Sequence, residues 1–350
     1  MGFNMNKTLR QDILHFANSF PLSEALRKKT IAITGATGLL GSCMTLALLE
    51  LNKLYNLNLR VIAIVRNTEK AHKIFGNENN YFDIFKHNFN KHLPFKAPEH
   101  IDSIIHFAAP TASKTFIEEP IETMNTVYFG TNSLLEYAKK SGLSSFVLAS
   151  TLEVYGTIYD DSTLLTEDKQ GYIDPMATRS SYPLAKRAAE ALCHNYAIEY
   201  DVNAKVARLA QVFGAGVAKN DNRVFAQFAK AAINNKDIVL NTTGELCRSY
   251  CYTIDAITAI LFIMIKGNKG EAYNVANEKS YISIKDMAKM VLENHHPTGK
   301  LLFDIKEGLG YSPTTKLRLS SKKLASLGWK PEYNLSEMFD RLIASFKETV

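Results

Sequence analysis

A tyrosine and a lysine four residues apart give the first chemical signal. Tyr182 and Lys186 lie in the segment SYPLAK, and positions i and i+4 share one face of a helix. A cationic lysine beside a phenol favours the phenolate, so we expect a pKa for Tyr182 below the usual value of about 10. Such a tyrosine can remove a hydroxyl proton while a nicotinamide takes the hydride. The same spacing also arises by chance, so this hypothesis depends on neighbouring motifs.

Thr151 and Glu153 supply a second motif directly after the apolar segment SFVLAS. In open α/β sheets, ligands bind where the strands end. We expect Thr151 to hydrogen-bond the same substrate hydroxyl that Tyr182 deprotonates. Glu153 is expected to act as acid or base at a neighbouring carbon. The alternative interpretation is a hydrogen-bonded turn followed by an exposed glutamate.

A glycine-rich turn, TGATGLLG, lies between a short apolar strand and a helix. Gly35 permits the tight turn, Gly38 lets the backbone approach a pyrophosphate, and Gly41 allows close packing of helix on strand. The helix N-terminus then offers free N–H groups to the phosphates. This context predicts a dinucleotide site. The expected contacts to the cofactor come from Gly35, Thr37, Gly38, Leu39 and Leu40.

Residues after the later strands are expected to complete the dinucleotide site. Arg66 ends the second strand, where an acidic residue would bind the ribose of NAD. Its guanidinium would instead pair with the 2′-phosphate of NADP or stack on adenine, although an exposed strand-end arginine is also an open interpretation. Asn88 is expected to bind the adenine amino group. Ala108 and Lys186 are further expected contacts, and both NAD and NADP are retained as the cofactor.

The elements that must position these side chains alternate between strands and helices. Such an order predicts an α/β fold with a doubly wound, Rossmann-type parallel sheet covered on both faces. The predicted strands are Thr30–Thr34, Arg60–Val65, Ile101–Phe107, Ser145–Ser150 and Ala204–Leu209. The predicted helices around them are Leu39–Leu51, Pro120–Lys140 and Pro183–Tyr200.

The two ends of the chain have a different pattern. Residues 1–28 contain helical stretches at Asp12–Ser19 and Ser23–Lys28, which we interpret as an extension packed on the main domain. Beyond Gly214, short helices are predicted at Val224–Asn234, Ile284–His295 and Leu335–Phe346, and Tyr250–Lys266 is expected to return to the sheet as a strand and a helix. The expected division is a Rossmann domain of residues 29–213 and 250–277 with a smaller, interleaved substrate-binding domain of 214–249 and 278–350.

Composition limits the class of protein. The 350 residues are 46% hydrophobic with a formal net charge of +6, which excludes a disordered chain and fits a small anionic ligand better than a nucleic acid. The four cysteines have no disulfide-framework or zinc spacing, so we expect no metal. The opening segment has no secretory pattern, and the apolar run Ala256–Ile265 is too short to span a bilayer. A cytoplasmic protein without a membrane association is therefore expected.

Four ordered motifs, TGATGLLG, HFAAP, ASTLEVYG and SYPLAK, resemble the extended short-chain dehydrogenase/reductase family in its nucleotide-sugar epimerase, dehydratase and decarboxylase branch. The resemblance covers Lys29 to Phe346. Within that branch the chain is most similar to UDP-glucuronate decarboxylases, through HFAAP with EPIET, then DNRVF, RSY and GWKP.

The resemblance implies an enzyme that transiently oxidises a nucleoside-diphosphate sugar at C4 and recycles a tightly bound NAD or NADP. Thr151, Tyr182 and Lys186 would carry the oxidation, and Glu153 would assist lyase chemistry at C5 or C6, as in polysaccharide biosynthesis. The residues implied to bind the substrate are Pro110, Gln211, Arg223 and Arg248. The resemblance also implies a homodimer that pairs the helices predicted at Pro120–Lys140 and Pro183–Tyr200.

Two departures from the family pattern keep other functions open. Leu152 occupies the place of an aspartate in 4,6-dehydratases and of a serine in decarboxylases, and leucine can do neither job. Gln211 stands where an asparagine often contacts the substrate. The alternatives are a nucleotide-sugar 4-epimerase, a simple NADPH-dependent carbonyl reductase, and a dinucleotide-sensing module without chemistry. The loops Asp221–Arg248 and Glu307–Leu319 are expected to decide the substrate.

Overall fold

The computed structural model describes residues 5–91, 93–305 and 314–348. The strands in these ranges are β1 (Thr30–Thr34), β2 (Arg60–Val65), β3 (Phe82–Lys86), β4 (Ser103–His106), β5 (Ser145–Thr151), β6 (Ala204–Leu209), β7 (Gln211–Phe213), β8 (Ile238–Leu240), β9 (Cys247–Tyr252), β10 (Ala272–Val275), β11 (Asn277–Ser283), β12 (Leu301–Phe303) and β13 (Lys316–Leu317). The α-helices are α1 (Lys7–Ser19), α2 (Leu39–Tyr55), α3 (Thr68–Phe75), α4 (Ser113–Glu118), α5 (Pro120–Ser141), α6 (Ser181–Tyr200), α7 (Val224–Ile233), α8 (Thr253–Lys266), α9 (Ile284–His295), α10 (Lys322–Ala325) and α11 (Leu335–Lys347).

Seven strands form one parallel sheet in the order β3-β2-β1-β4-β5-β6-β10. From β1 the chain builds outward to β3, and it then crosses back to β4 and builds in the other direction. The strand order therefore reverses between β1 and β4, which opens a crevice at their carboxyl ends. This arrangement confirms the predicted Rossmann-type α/β fold.

The strands alternate their apolar side chains between two cores. In β1, Ile31 and Ile33 join the core formed with α2 and α8, whereas Ala32 faces the core formed with α5 and α6. All three side chains are inaccessible to solvent. Because the sheet is buried on both faces, its strands are continuously apolar, which is why they were recognisable in the sequence.

A second group of strands lies beyond the main sheet. Strand β9 pairs with β11, β13 and β7, and β8 pairs with β12. We expected Tyr250–Lys266 to return to the main sheet as a strand and a helix. The strand part of this expectation is wrong, because β9 belongs to the smaller sheet. Strand β7 leaves the main sheet directly after β6, and β9 pairs with it in parallel. Helix α8 packs on β5 and β6, and β10 is the strand that rejoins the main sheet.

The N-terminal segment is tied to the C-terminal helix. Helix α1 begins at Lys7, earlier than predicted, because the Asn6 side chain caps it by accepting from the Leu9 amide at 2.7 Å. Asp12 on α1 is buried, accepts from the Tyr252 hydroxyl and pairs with Arg341 on α11. The second predicted helical stretch forms only a 3-10 turn at Ser23–Leu26.

The limits of some predicted elements differ by a few residues from those in the structure. The strand predicted at Ile101–Phe107 is limited to Ser103–His106, and α5 and α6 extend slightly beyond their predicted limits. Of the loop Glu307–Leu319, residues 307–313 lie outside the described residues. Among the described helices, none has the length and apolar character needed to cross a bilayer.

Candidate active site

Tyr182, Lys186 and Thr151 meet where β5 ends and α6 begins. The hydroxyls of Tyr182 and Thr151 are hydrogen-bonded to each other. The Lys186 amine lies 5.9 Å from the centre of the Tyr182 ring and donates to the Ala149 carbonyl oxygen at 2.7 Å. Both Tyr182 and Lys186 are buried. The structure therefore brings together the three residues that the sequence selected for hydroxyl oxidation.

The pKa of Tyr182 departs from the sequence-based expectation. Burial and the nearby Glu153 carboxylate raise it above its ordinary value, while the Thr151 hydrogen bond and Arg179 lower it. The expected lowering by Lys186 is therefore wrong for the protein without ligands, because desolvation of the phenolate outweighs the opposing interactions. Burial also lowers the pKa of Lys186 to about 8, against the effect of Glu190, which raises it.

Glu153 is held by a residue that sequence reasoning missed. The Arg179 guanidinium donates to both carboxylate oxygens, at 2.8 and 3.3 Å. Only about one-fifth of each side chain is exposed. Arg179 precedes Tyr182 by three residues, about one helical turn, and this proximity to the Tyr-x-x-x-Lys motif is the signal that could have identified it.

A second guanidinium approaches the same site from the smaller sheet. Arg248 on β9 is buried, and it donates to the Thr315 carbonyl and hydroxyl oxygens. Burial lowers the pKa of Arg248, the Glu153 carboxylate raises it, and Arg179 lowers it. Glu153 and the two arginines therefore form one interacting group of one negative and two positive charges beside Tyr182.

Phe116 covers one face of Tyr182. The two rings are parallel, with an interplanar angle of 2° and centroids 4.3 Å apart. The Ser181 hydroxyl donates to the Phe116 carbonyl oxygen at 2.9 Å, which ties α4 to the start of α6. The stack fixes the plane of the phenol and removes water from that face. No sequence motif pointed to Phe116, because this contact arises only from the packing of α4 on α6.

The glycine turn has the space and the free donors that a dinucleotide requires. Gly35 has a φ of +62°, and a Cβ there would lie 2.9 Å from the Ala108 amide nitrogen. A Cβ on Gly41 would collide with the Gly35 carbonyl oxygen. Helix α2 has Gly38 as its N-cap and no side-chain cap, so its first N–H groups are open to a phosphate. These residues fit a dinucleotide, with Thr37 in the turn and Leu39 and Leu40 beginning α2.

A cleft of about 320 Å³ lies where β2, β3 and β4 end. Arg66 and Pro110 line it, together with Asn90. Asn88 is not among the described lining residues, and its side-chain oxygen accepts from the Asn90 amide at 3.1 Å. The expected adenine contact of Asn88 therefore stays a prediction, and Asn90 is a lining residue that the sequence analysis did not select.

The other expected substrate residues lie in the smaller part of the molecule. Gln211 on β7 stands opposite Tyr250 on β9. Arg223 precedes α7, is largely exposed, and forms an ion pair with Asp221 in which Nη2 lies 2.6 Å from Oδ2. Within the described ranges, histidine, cysteine and carboxylate side chains form no cluster of three that could hold a metal ion.

Known proteins with related sequences cover almost the whole chain. UDP-glucuronic acid decarboxylase 1 of Xenopus tropicalis is 29% identical over 355 residues, which cover 97% of this chain and 79% of that protein. UDP-glucuronic acid decarboxylase 1 of Arabidopsis thaliana is 25% identical over 334 residues, covering 94% and 72%. These relatives agree with the resemblance drawn from the motifs.

Solved structures share the fold. The UDP-glucose 4-epimerase of Thermotoga maritima aligns with a TM-score of 0.71 at 22% identity, covering 91% of this chain and 98% of that one. The dTDP-glucose 4,6-dehydratase of Bacillus anthracis, solved with NAD, aligns with a TM-score of 0.73 at 18% identity, covering 91% and 96%.

The family assignment follows from a match over most of the chain. The model of the NAD dependent epimerase/dehydratase family matches residues 31–276, which contain the glycine turn, Thr151 and the Tyr182–Lys186 pair. That range ends after β10, the last strand of the main sheet. The chain is therefore an enzyme that belongs to the NAD dependent epimerase/dehydratase family.

Proposed function

We propose that the protein decarboxylates a nucleoside-diphosphate uronic acid, of which UDP-glucuronate is the first candidate, through a 4-keto intermediate. The observation that carries this proposal is the charge group beside Tyr182. Glu153, Arg179 and Arg248 interact there and leave one net positive charge. A sugar carboxylate would neutralise that charge directly, whereas a neutral hexose could balance it only through its diphosphate. The decarboxylase relatives support the same choice.

The first step is oxidation at C4. Tyr182 would be the base that accepts the proton of the C4 hydroxyl, and the positive charges of Lys186 and of an oxidised nicotinamide would favour the phenolate that burial disfavours. Thr151 would position the same hydroxyl. A nicotinamide held by the glycine turn and Lys186 would supply the hydride chemistry at C4. Lys186 contributes a buried positive charge next to the phenol. The product of this step is a β-keto acid, whose carboxyl group is activated for loss.

The second step breaks the C5–C6 bond. Carbon dioxide leaves, the electron pair stays on the enolate that extends to the C4 oxygen, and the two arginines balance the charge of the substrate in this region. A proton from solvent then reaches C5 through Glu153, which Arg179 holds at the site. Tyr182 returns its proton to the C4 oxygen when the carbonyl is reduced. The balance is one substrate and one proton converted to one pentose nucleotide and one carbon dioxide.

We infer that the cofactor is NAD or NADP, that it stays bound, and that it is recycled. The binding residues are those of the glycine turn, Ala108 and Lys186, with Arg66 and Asn88 toward the adenosine. Arg66 lines the cleft at the strand ends and is exposed, so it is free to reach a 2′-phosphate or to stack on adenine. Release of the cofactor from purified protein, followed by its chromatographic identification, distinguishes NAD from NADP.

We propose that the smaller sheet holds the nucleotide of the substrate; this sheet includes β7 and the end of β9, which the expected division assigned to the Rossmann domain of residues 29–213 and 250–277 and not to the substrate domain of 214–249 and 278–350. Arg248 on β9 reaches the catalytic residues from this side. Gln211 on the neighbouring strand and Pro110 at the opposite edge of the crevice would bind the same substrate. Arg223 forms an ion pair with Asp221 in this structure. This ion pair would have to break before the Arg223 guanidinium could contact a phosphate.

We infer further that two copies of the chain pair through α5 and α6. These helices pack on each other and expose large apolar side chains at their outer faces. Such a surface favours burial against a second copy. The exposed side chains are Ile121, Met124, Tyr128, Phe129, Ile198 and Tyr200. Light scattering on the eluted protein should give twice the mass of one chain, and substitution of Met124 and Ile198 by aspartate should halve it.

The direct test is incubation of the purified enzyme with UDP-glucuronate, UDP-glucose, and the corresponding GDP, CDP and dTDP sugars. We expect a pentose nucleotide from the uronic acid, with no net change in free NADH or NADPH. Formation of an epimer would support the 4-epimerase, and stoichiometric consumption of NADPH would support a carbonyl reductase. No turnover of any of these sugars with either added cofactor would contradict the proposal.

A further inference from the structure

The turn of α6 that follows Lys186 contains a buried ion pair. Glu190 lies four residues after Lys186, and Arg208 on β6 donates to it from Nη2 at 2.8 Å and from Nε at 3.0 Å. The Ser150 hydroxyl donates to the other oxygen of the same carboxylate. About one-tenth of each charged side chain is exposed. The Glu190 carboxylate of α6 is thus fixed by side chains from two strands, β5 and β6.

The same turn is coupled to the catalytic residues through β5. Lys186 donates to the carbonyl oxygen of Ala149, and Glu190 accepts from the side chain of Ser150. These are consecutive residues of β5, and Thr151 follows them directly. Two successive turns of α6 therefore bind the last residues of the strand that delivers Thr151 to Tyr182.

We propose that Glu190 is a positioning residue for the reaction, and that its carboxylate, clamped by Arg208 and Ser150, keeps Lys186 cationic against the end of β5. This inference rests on the proposed function for its catalytic consequence. A lone ammonium in a buried site loses its proton readily, so a fixed carboxylate one turn away is the charge that retains it.

The electrostatic surroundings of Lys186 agree with this role. Burial lowers the pKa of Lys186 to about 8, while Glu190 and Cys193 on the same helix raise it. His106 on β4 faces Lys186, and burial together with the lysine charge lowers the pKa of His106 to about 3, so the histidine is neutral. Glu190 therefore favours the protonated form of Lys186, which burial opposes.

The test measures the titration of Lys186 directly. Protein containing lysine labelled with ¹³C at Cε is titrated by NMR, and a Lys186→Met variant assigns the resonance. For Glu190→Gln we expect the midpoint to fall by about one pH unit or more. Glu199→Gln removes an exposed carboxylate from the same helix and should leave the midpoint unchanged.

A charge-balanced variant separates this effect from folding. Glu190→Gln leaves Arg208 buried without its partner, so the double variant Glu190→Gln/Arg208→Gln is measured beside it. We expect the double variant to regain thermal stability and still to show the lowered Lys186 midpoint. The alkaline limb of kcat/KM should move to lower pH by the same amount in both variants. A Lys186 midpoint equal to that of the unsubstituted enzyme in both variants would overturn the proposal.

The NMR result stands without any substrate. If the unsubstituted enzyme turned over no nucleotide sugar, the proposed function would fail while the Lys186 titration still decided the role of Glu190. If turnover occurred and the midpoint did not move, the proposed function would stand and the role of Glu190 would fall.

Discussion

Arg179 donates to both carboxylate oxygens of Glu153, at 2.8 and 3.3 Å, across 26 residues of sequence. The pair joins the turn after β5 to the 3-10 turn at Thr178–Ser180, just before α6, and it lies beside Tyr182. A bidentate, partly buried ion pair fixes the orientation of the carboxylate far better than an exposed surface ion pair does. Glu153 is therefore held in one orientation beside Tyr182, where the proposed function puts C5 and C6 of the sugar.

Replacement of Glu153 by glutamine should separate the two halves of the reaction. Glutamine keeps the shape of the side chain and removes its charge, so oxidation at C4 should continue while the proton transfer at C5 slows by about 100-fold or more. Reduced nicotinamide should then accumulate on the enzyme, which its near-ultraviolet absorbance reports.

The exposed pair of Glu24 and Arg27 provides the control for this experiment. Glu24→Gln removes a carboxylate whose partner is also an arginine, far from the site in an exposed turn. Its product formation should equal that of the unsubstituted enzyme. Normal product formation by Glu153→Gln would show that Glu153 does not transfer the proton at C5.

Replacement of Tyr182 by phenylalanine should lower kcat by about 10²- to 10⁴-fold. The ring stack on Phe116 is retained, while the hydroxyl that bonds Thr151 is lost. The melting temperature should therefore change little. Steady-state rates at saturating substrate check this prediction.

Tyr196→Phe is the matched control, because Tyr196 is a buried tyrosine of the same helix. Its hydroxyl bonds Asn132 and Glu136 on α5, so its loss should affect stability and leave kcat within about twofold. Equal losses of kcat in Tyr182→Phe and Tyr196→Phe would show that the effect is structural.

The fold and half of the site were predictable because they depend on local signals. Strands buried on both faces are continuously apolar, and the four-residue helical spacing of Tyr182 and Lys186 is visible in the sequence. Arg179 and Phe116 could not be predicted in the same way, since each acts through a partner that only tertiary packing supplies. The predicted direction of the Tyr182 pKa shift was wrong for the same reason. Desolvation depends on the packing around the ring, which a sequence does not show.

His106 should make the protein less stable in acid. Its side chain is buried, Nδ1 lies 2.6 Å from the Thr34 hydroxyl, and burial lowers its pKa from 6.5 to about 3. The unfolded chain therefore binds a proton that the folded chain does not, and the contribution to stability, complete above pH 6.5, is lost as the pH falls toward 3. The slope approaches about 1.4 kcal/mol per pH unit between about pH 5.5 and 4, where the histidine is protonated in the unfolded chain and neutral in the folded one.

Urea unfolding at several pH values measures this slope. His106→Gln should reduce the pH dependence of the unfolding free energy over that range. His15→Gln, at a half-exposed histidine on α1, should retain most of that pH dependence. Identical slopes for the unsubstituted protein and His106→Gln would contradict the assignment.

Arg341→Met should destabilise the protein by about 3 kcal/mol, because it leaves the buried Asp12 carboxylate without its cation. Asp12→Asn/Arg341→Met removes both charges and should recover much of the loss. Arg27→Met, at an exposed pair, should cost far less stability. Urea midpoints compare the three variants, and a small loss for Arg341→Met would show that α1 is not anchored through this contact.

Gly41→Ala should weaken cofactor binding by at least about tenfold, because its Cβ would collide with the Gly35 carbonyl oxygen and displace the turn. Gly142→Ala is the control: its φ is +65°, no atom lies within 4 Å of the added Cβ, and only stability should fall, by about 1 kcal/mol. Calorimetric titration of the apoenzyme measures the affinity. Unchanged affinity in Gly41→Ala would exclude this turn as the pyrophosphate site.

The fate of C6 distinguishes loss of the sugar carboxyl group after oxidation at C4 from reactions that keep all six carbons. UDP-glucuronate labelled with ¹³C at C6 is incubated with the enzyme, and labelled carbon dioxide and the pentose nucleotide are quantified together. We expect one carbon dioxide for each pentose nucleotide, with no net reduction of free cofactor, and loss of both products in Tyr182→Phe. Turnover of UDP-glucuronate that retains the label in a six-carbon sugar would contradict this expectation.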